Sequence, residues 1–353
     1  MKKLLLVLAV IIAAGLAWYY RPSSEELLTG SSTLSKPITF LQEKYISPIN
    51  IEHMRGQDYD SPAPAIEEEL ASGSNYRQYI ASYTSEGNKI YGLLTVPTTT
   101  PPEGGFPAIV FNHGYIPPFQ YVTTEKYGAY VDYLARNGFV VFKIDLRGHG
   151  DSEGAPGGSY FSSGYTIDAL SALNSLQKLD YVNPDRIGMW GHSMAGNLVL
   201  RALLVSNEVK AGVIWAGAVY SYEDFAQYRL SDASYVGRTR PDEEGREQEE
   251  GREDSEEIQK LRQSPAEINF LDDFWSSVSL TQNLGYLNAP IQVHHAINDP
   301  VVNIGYSRDL AEVMASGSKD FELFEYLGGG HNIESPYFET AMQRTVEFFR
   351  ENL

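Results

Sequence analysis

The sequence predicts an α/β fold built on a doubly wound, mostly parallel sheet with an inserted cap. Three observations carry this. Apolar runs such as FPAIVFN (106–112), FVVFKID (139–145), RIGMWG (186–191), AGVIWAG (211–217), PIQVHHA (290–296) and FELFEY (321–326) recur along the chain. Segments with helical spacing over 124–137, 164–179, 194–206, 304–316 and 337–352 separate most of them. One gap, 220–288, is far longer than an ordinary crossover.

Each element has a local reason. Continuous apolar runs suit strands covered on both faces by helices. Strands alternating with helices give parallel pairing and right-handed crossovers. YRQYIASYTS and KIYGLLTVP alternate apolar and polar residues around Glu86-Gly87-Asn88, a hairpin signal. Asn137-Gly138 stops the first helix. Residues 38–75 carry Pro48, Pro62 and Pro64 and are expected to wrap the body of the domain. The 220–288 gap ends in the aromatic piece INFLDDFWSSVSL and reads as a cap or lid. No internal repeat is seen.

Composition narrows the function. The 353 residues include 27 Lys+Arg and 46 Asp+Glu, for a net charge of −19. That sign argues against nucleic acid, which needs a basic footprint. Residues 242–257 alone hold ten acids and two arginines, and a charge run of this kind reads first as a solvated face. There is no cysteine, which removes disulfides, thiolate metal sites and a Cys nucleophile. His294-His295 on one strand point to opposite faces, so no metal site is expected, and no cofactor motif is present.

The N-terminus has the form of an export signal. Lys2 and Lys3 precede an apolar run from Leu4 to Trp18. Gly15-Leu16-Ala17 offers a cleavage site, whereas Trp18-Tyr19-Tyr20-Arg21 reads as an interfacial belt of an uncleaved anchor. Residues 1–20 are therefore expected to be a signal peptide or a membrane anchor, and 21–37 a linker. Either form places the α/β domain, 38–353, outside the cytoplasm.

The chemistry begins at Gly191-His192-Ser193-Met194-Ala195-Gly196, between a strand and a helix. This is a nucleophile-elbow pattern with Ala at the fifth position. A sharp turn lifts the Ser193 hydroxyl off the sheet, and small neighbours let strand and helix approach. A serine at its free pKa needs a base. His331, in Leu327-Gly-Gly-Gly-His331-Asn332 after the last strand, is placed to serve. Asp299 in Ile297-Asn298-Asp299-Pro300-Val301 can orient the imidazole, and Asp224 is the runner-up. The order is Ser193, Asp299, His331, 106 and 32 positions apart. The backbone N–H groups of Met194 and Tyr115 are the expected oxyanion donors, Tyr115 following the strand that ends Phe111-Asn112-His113-Gly114. Tyr121, Trp215, Tyr220 and Trp275, with Tyr115, Phe119 and Phe274, are candidates to line an apolar acyl pocket.

These residues resemble the α/β-hydrolase superfamily, and more closely the prolyl oligopeptidase (S9) catalytic domain and its stand-alone hydrolase relatives. The resemblance is carried by SYTSEGNKIYGLLTVP, FPAIVFNHGY, DLRGHGDSEG, NPDRIGMWGHSMAG, INDPVV and GGGHN, in order over about 82–352. It implies an α/β-hydrolase fold, a Ser193–Asp299–His331 triad with Tyr115 and Met194 at the oxyanion, and structural roles for Arg147 and Asp151. Residues 1–80 are too short for the propeller of true oligopeptidases, which favours esters over peptides as substrates. An aminopeptidase reading needs a carboxylate for the free amine, and Glu223, Asp224, Asp272 and Asp273 offer one. A non-enzymatic binding module is the reading from another class. An aspartate-nucleophile hydrolase is excluded by Ser at 193. A small ester or short peptide is the expected partner, with membrane association through the N-terminus. Oligomeric state is left open.

Overall fold

A computed structural model of the protein describes residues 46–228, 230 and 256–353. The expected signal or anchor, the linker, and nearly all of the acidic run lie outside these residues. Among the described residues no helix is long and apolar enough to cross a membrane.

The core is a nine-stranded sheet in the order β1-β2-β3-β5-β4-β6-β7-β8-β9. The strands are β1 (Ala65–Leu70), β2 (Tyr76–Ser85), β3 (Asn88–Pro97), β4 (Phe106–Asn112), β5 (Val140–Ile144), β6 (Val182–His192), β7 (Gly212–Trp215), β8 (Ile291–Ala296) and β9 (Phe321–Tyr326). β1, β2, β3 and β5 pair antiparallel, and β5-β4-β6-β7-β8-β9 pair parallel. This is the predicted α/β-hydrolase architecture.

The β2–β3 hairpin closes through Glu86 (φ +47°) and Gly87 (φ +82°). Two consecutive positive φ values give the tight turn whose twist matches the flanking strands. The wrap expected over 38–75 instead contains a strand. β1, AIEEEL, forms the sheet's edge and is largely exposed. Its ladder is held by backbone pairing, with Glu67 also paired to Lys89 at 2.7 Å. Charges on such an edge discourage further strands from adding.

Helices cover both faces. α1 (Ile51–Arg55), α3 (Gly164–Leu176), α4 (Met194–Val205) and α8 (Gly305–Ser316) contribute buried side chains to one core cluster. α2 (Gly128–Arg136) and α9 (Phe338–Asn352) contribute to the other. The described part of the insertion is α5 (Tyr222–Tyr228), α6 (Glu256–Gln263) and α7 (Asp273–Val278). Asp272 caps α7 by accepting the Trp275 N–H at 3.0 Å, as N-terminal N–H groups require. Phe225, Ile258, Leu261, Trp275 and Val278 join the α3–α4 cluster, so these helices are packed into the domain.

Strand order reverses around β4: β5 lies on one side and β6 on the other. Loops leaving the C-terminal ends of strands at such a switch point form the crevice where α/β sheets place their ligands. The loops after β4 and β6 carry Tyr115 and Ser193.

Candidate active site

Ser193 sits between β6 and α4 with φ +55° and ψ −118°. This left-handed conformation costs energy in a non-glycine residue and persists only where surroundings impose it. The surroundings here are tight. A Cβ at Gly191 would lie 2.6 Å from the Ala195 carbonyl oxygen and 2.7 Å from Val199. A Cβ at Gly196 would lie 2.6 Å from Gly217. The Ser193 N–H donates to the Trp215 carbonyl at 2.8 Å, tying the elbow to β7. Met194 opens α4, so its N–H has no intrahelical acceptor.

The turn after β4 approaches from one side. A Cβ at Gly114 would meet Ser193 Cβ at 3.1 Å. The Gly114 N–H is already taken, donating to the Tyr127 hydroxyl at 2.9 Å. The Tyr115 N–H follows it on the same turn. His113 braces the turn from below, its two nitrogens 2.7 Å and 3.1 Å from the carbonyls of Gly114 and Asp145. Burial, with His149 nearby, pushes its pKa down to about 3. A neutral imidazole has one N–H, so it donates to one of the two.

The loop after β9 meets the elbow at His192. His331 Nδ1 lies 2.7 Å from Asp299 Oδ2. Asp299 Oδ1 accepts the N–H groups of Val301 and Val302 at 2.8 and 3.0 Å, which leaves Oδ2 for the imidazole. Burial pushes the carboxyl up, but hydrogen bonds from His295, His331 and the Val302 N–H together hold it below the usual carboxylate range. The Asx turn and the histidine contact thus use the same carboxylate through different oxygens. The His331 ring centroid lies 4.5 Å from that of His192, next in the chain to Ser193. The loop is anchored three times: Gly330 N–H to Asn298 Oδ1 (3.0 Å), Tyr130 hydroxyl to Asn332 carbonyl (2.8 Å), and His192 Nε2–H to His331 carbonyl (2.9 Å).

Two contributors were not singled out from the sequence. His295, in the middle of an apolar strand, is fully buried with Nε2 3.3 Å from Asp299 Oδ2 and 3.1 Å from the Val302 carbonyl. The carbonyl only accepts, so Nε2 carries the proton, while Nδ1 lies 2.7 Å from the Ser307 hydroxyl. Tyr127, just before α2, had no motif to mark it.

The aromatic assignments need correction. Trp215 is fully buried among Trp190, Tyr130, Phe338 and His294, on the α2–α9 side of the sheet. Tyr220 is buried behind Gly196 and Gly217. Tyr121 stacks on His113 at 4.5 Å and donates to Asp145 at 2.9 Å. These are supports rather than walls of an acyl pocket. Trp275, also buried, lines a cavity of about 490 Å³ with Tyr222, Phe270, Glu223, Asp224 and Asp309. Asp224, the runner-up acid, belongs to that cavity, and Asp299 holds the histidine. Arg147 is structural as expected: its guanidinium meets the buried Asp168 at 2.7 Å and Glu86 at 2.9 Å. Among the described residues no group of three or more acids or histidines is arranged to hold a metal.

The sequence profile of Hydrolase_4, described as serine aminopeptidase, S33, matches residues 107–335. The chain belongs to the Hydrolase_4 family. It is therefore an α/β hydrolase and, in general terms, a serine hydrolase. This Hydrolase_4 chain is 25% identical over 254 residues to an uncharacterized peptidase, YtmA, of Bacillus subtilis, covering 71% of the chain and 84% of that protein. It is 26% identical over 152 residues to YfhR of Escherichia coli K12, of which it spans 50%. Similar solved structures include acetyl xylan esterase 1 from Thermoanaerobacterium (TM-score 0.60, 17% identity, 85% of this chain, 91% of that one). Pyrococcus horikoshii acylaminoacyl peptidase is another (TM-score 0.59, 17% identity, 79% and 42%). At such identities the likeness is one of fold. Esterases and peptidases both share it.

Proposed function

We propose that this Hydrolase_4 chain cleaves carboxylic esters through an acyl-enzyme on Ser193. The observation that carries the reading is the Ser193 elbow, with the His331–Asp299 pair packed against the adjacent His192. Ser193 Oγ attacks the ester carbonyl carbon as His331 Nε2 takes its proton. The tetrahedral oxygen accepts from the N–H groups of Tyr115 and Met194. Collapse breaks the C–O bond, and the imidazolium returns the proton to the departing alcohol. Water, deprotonated by His331, then attacks the acyl carbon, releasing the acid and Ser193. Asp299 holds Nδ1–H toward itself and offsets the positive imidazolium. Esters are favoured because the fold matches 91% of an acetyl xylan esterase chain but 42% of an acylaminoacyl peptidase chain.

A second reading, hydrolysis of short peptides with a free amine, has its own support. The family description and the Bacillus relative's name both point to peptides. The cavity holding Glu223, Asp224 and Asp309 beside Tyr222, Phe270 and Trp275 has no lysine or arginine among its described lining residues. Acids and aromatic rings together suit an ammonium group. Comparing kcat/KM on p-nitrophenyl butyrate and on aminoacyl p-nitroanilides decides between them. Ester preference, lost in Ser193→Ala, is the expected result; preference for anilides with free amines overturns the ester reading.

The apolar run after Lys2 and Lys3 supports a site of action outside the cytoplasm, tested by fractionating cells and assaying the ester activity in each compartment.

A further inference from the structure

Between the two loops that flank Ser193 runs a chain of hydrogen bonds with only one consistent direction. The His331 carbonyl can only accept, so His192 Nε2, 2.9 Å away, carries the proton. His192 is 3% exposed and burial pushes its pKa down to about 3, so the ring is neutral and Nδ1 is bare. Nδ1 therefore accepts from the Tyr127 hydroxyl at 2.7 Å. With its proton committed, the Tyr127 oxygen accepts the Gly114 N–H at 2.9 Å. Every donor meets one acceptor.

Each end of this chain is a working loop. Gly114 precedes Tyr115, the proposed oxyanion donor, and lies against Ser193 Cβ. His331 is the proposed base. Tyr127 is held in place at a backbone cost. Lys126 and Tyr127 are consecutive non-glycine residues at φ +54°, a conformation that must be imposed by packing. The Tyr127 ring packs edge-on against Phe111 (5.6 Å) and Trp190 (6.2 Å), aiming its hydroxyl at His192.

We propose that Tyr127 and His192 are positioning residues for the hydrolytic reaction, tying the Gly114–Tyr115 turn to the His331 loop so that oxyanion donor and base keep a fixed spacing around Ser193. The Tyr127 hydroxyl also takes up the Gly114 N–H, leaving Tyr115 as this turn's donor to the oxyanion. The proposal rests on the reading of Ser193 as nucleophile.

The test uses the full-length protein and p-nitrophenyl butyrate, with Tyr127→Phe, His192→Ala, His192→Gln, the double variant Tyr127→Phe/His192→Ala, and Ser193→Ala. Misplacement of reacting groups by even an ångström carries large rate costs. Tyr127→Phe removes one oxygen without changing the ring. It should lower kcat about 10- to 100-fold with KM within about 2-fold, and lower the melting temperature by only a few degrees as the Gly114 N–H and His192 Nδ1 lose their partner. His192→Gln keeps an N–H for the His331 carbonyl and should recover part of the activity lost in His192→Ala. The double variant should be no slower than His192→Ala, because both changes break one chain. A wild-type kcat in Tyr127→Phe overturns the proposal while Ser193→Ala is inactive. So does a double variant whose losses multiply. If Ser193→Ala keeps its activity, the nucleophile reading fails and this proposal with it. Should His192→Ala not fold, Tyr127→Phe alone decides by its kcat.

Discussion

Asp299 and His331 meet through one oxygen and one nitrogen 2.7 Å apart, while the other Asp299 oxygen is occupied by the Val301 and Val302 N–H groups. The carboxylate is thus fixed in rotation before it touches the imidazole. Asp299→Asn keeps an oxygen for the two backbone donors but turns an N–H toward His331 Nδ1. The ring must then adopt the tautomer that leaves Nε2 protonated and unable to take the serine proton. The expected outcome is a loss in kcat of roughly 10⁴-fold, the scale seen when a triad acid is replaced by its amide. KM and the melting temperature should change little. A kcat within about 10-fold of wild type would remove Asp299 from the reaction.

His295 donates toward Asp299 from inside the sheet, its Nε2 shared between the Val302 carbonyl and Asp299 Oδ2 at 3.3 Å. His295→Leu removes this donor and strands the Ser307 hydroxyl. We expect a destabilisation of about 1–3 kcal/mol from unsatisfied buried groups, together with an upward move of the acid limb of the pH–kcat/KM profile if Asp299 loses support. Urea unfolding and a pH series read the two effects separately.

Arg147 and Asp168 pair at 2.7 Å, Arg147 half-wrapped by the turn over 145–154 and Asp168 fully buried in α3. Removing the arginine leaves an uncompensated buried carboxylate. Arg147→Ala should cost about 3–5 kcal/mol, seen as a lower urea midpoint with an unchanged slope. The double change Arg147→Met/Asp168→Leu should cost less than Arg147→Ala alone. The opposite ranking would contradict the assignment of this pair as a buried charge pair.

Acid should destabilise the domain. Burial pushes His113, His192 and His294 down to about 3 and His149 to about 4. In the unfolded chain histidine titrates near ~6.5. Between these values the unfolded state binds protons that the folded state refuses, so stability falls as pH drops from about 6.5 toward 4. Asp145 and Asp224, raised to about 6 mainly by burial, act in the opposite sense over part of that range. Asp224 is partly exposed and counts for less. Four groups against two leave a net loss. The melting temperature at pH 4.5 should lie roughly 5–10 °C below that at pH 7. An unchanged or higher value would contradict the neutral, buried histidines.

Much of this arrangement is legible in the sequence because it depends on local signals. Ser193 sits where an apolar strand meets a helix across small residues. Asp299 and His331 each follow an apolar strand, and parallel strands bring such loops to one edge. The hairpin at Glu86-Gly87 announces itself by turn chemistry. Other parts depend on information that one sequence does not contain. β1 is invisible because AIEEEL pairs by its backbone at an edge, with no apolar alternation to reveal it. Trp215 and Tyr220 have the composition of pocket walls, and only the register of β7 for Trp215 and the packing of Tyr220 against Gly196 and Gly217 say that they face the core. His295 sits mid-strand, where burial is the ordinary reading; its contact with Asp299 comes from the turn that follows. Tyr127 acts through side-chain contacts across 65 positions to His192, which no spacing rule anticipates.

The central claim is that Ser193 accepts the acyl group. A fluorophosphonate reacts at an activated serine and leaves a stable adduct, so intact-mass and peptide mass spectrometry identify the nucleophile directly. The account predicts one adduct per chain, located on Ser193, formed in step with the loss of p-nitrophenyl butyrate hydrolysis and absent from Ser193→Ala. An adduct on another residue, or full activity in the Ser193→Ala protein, would contradict it.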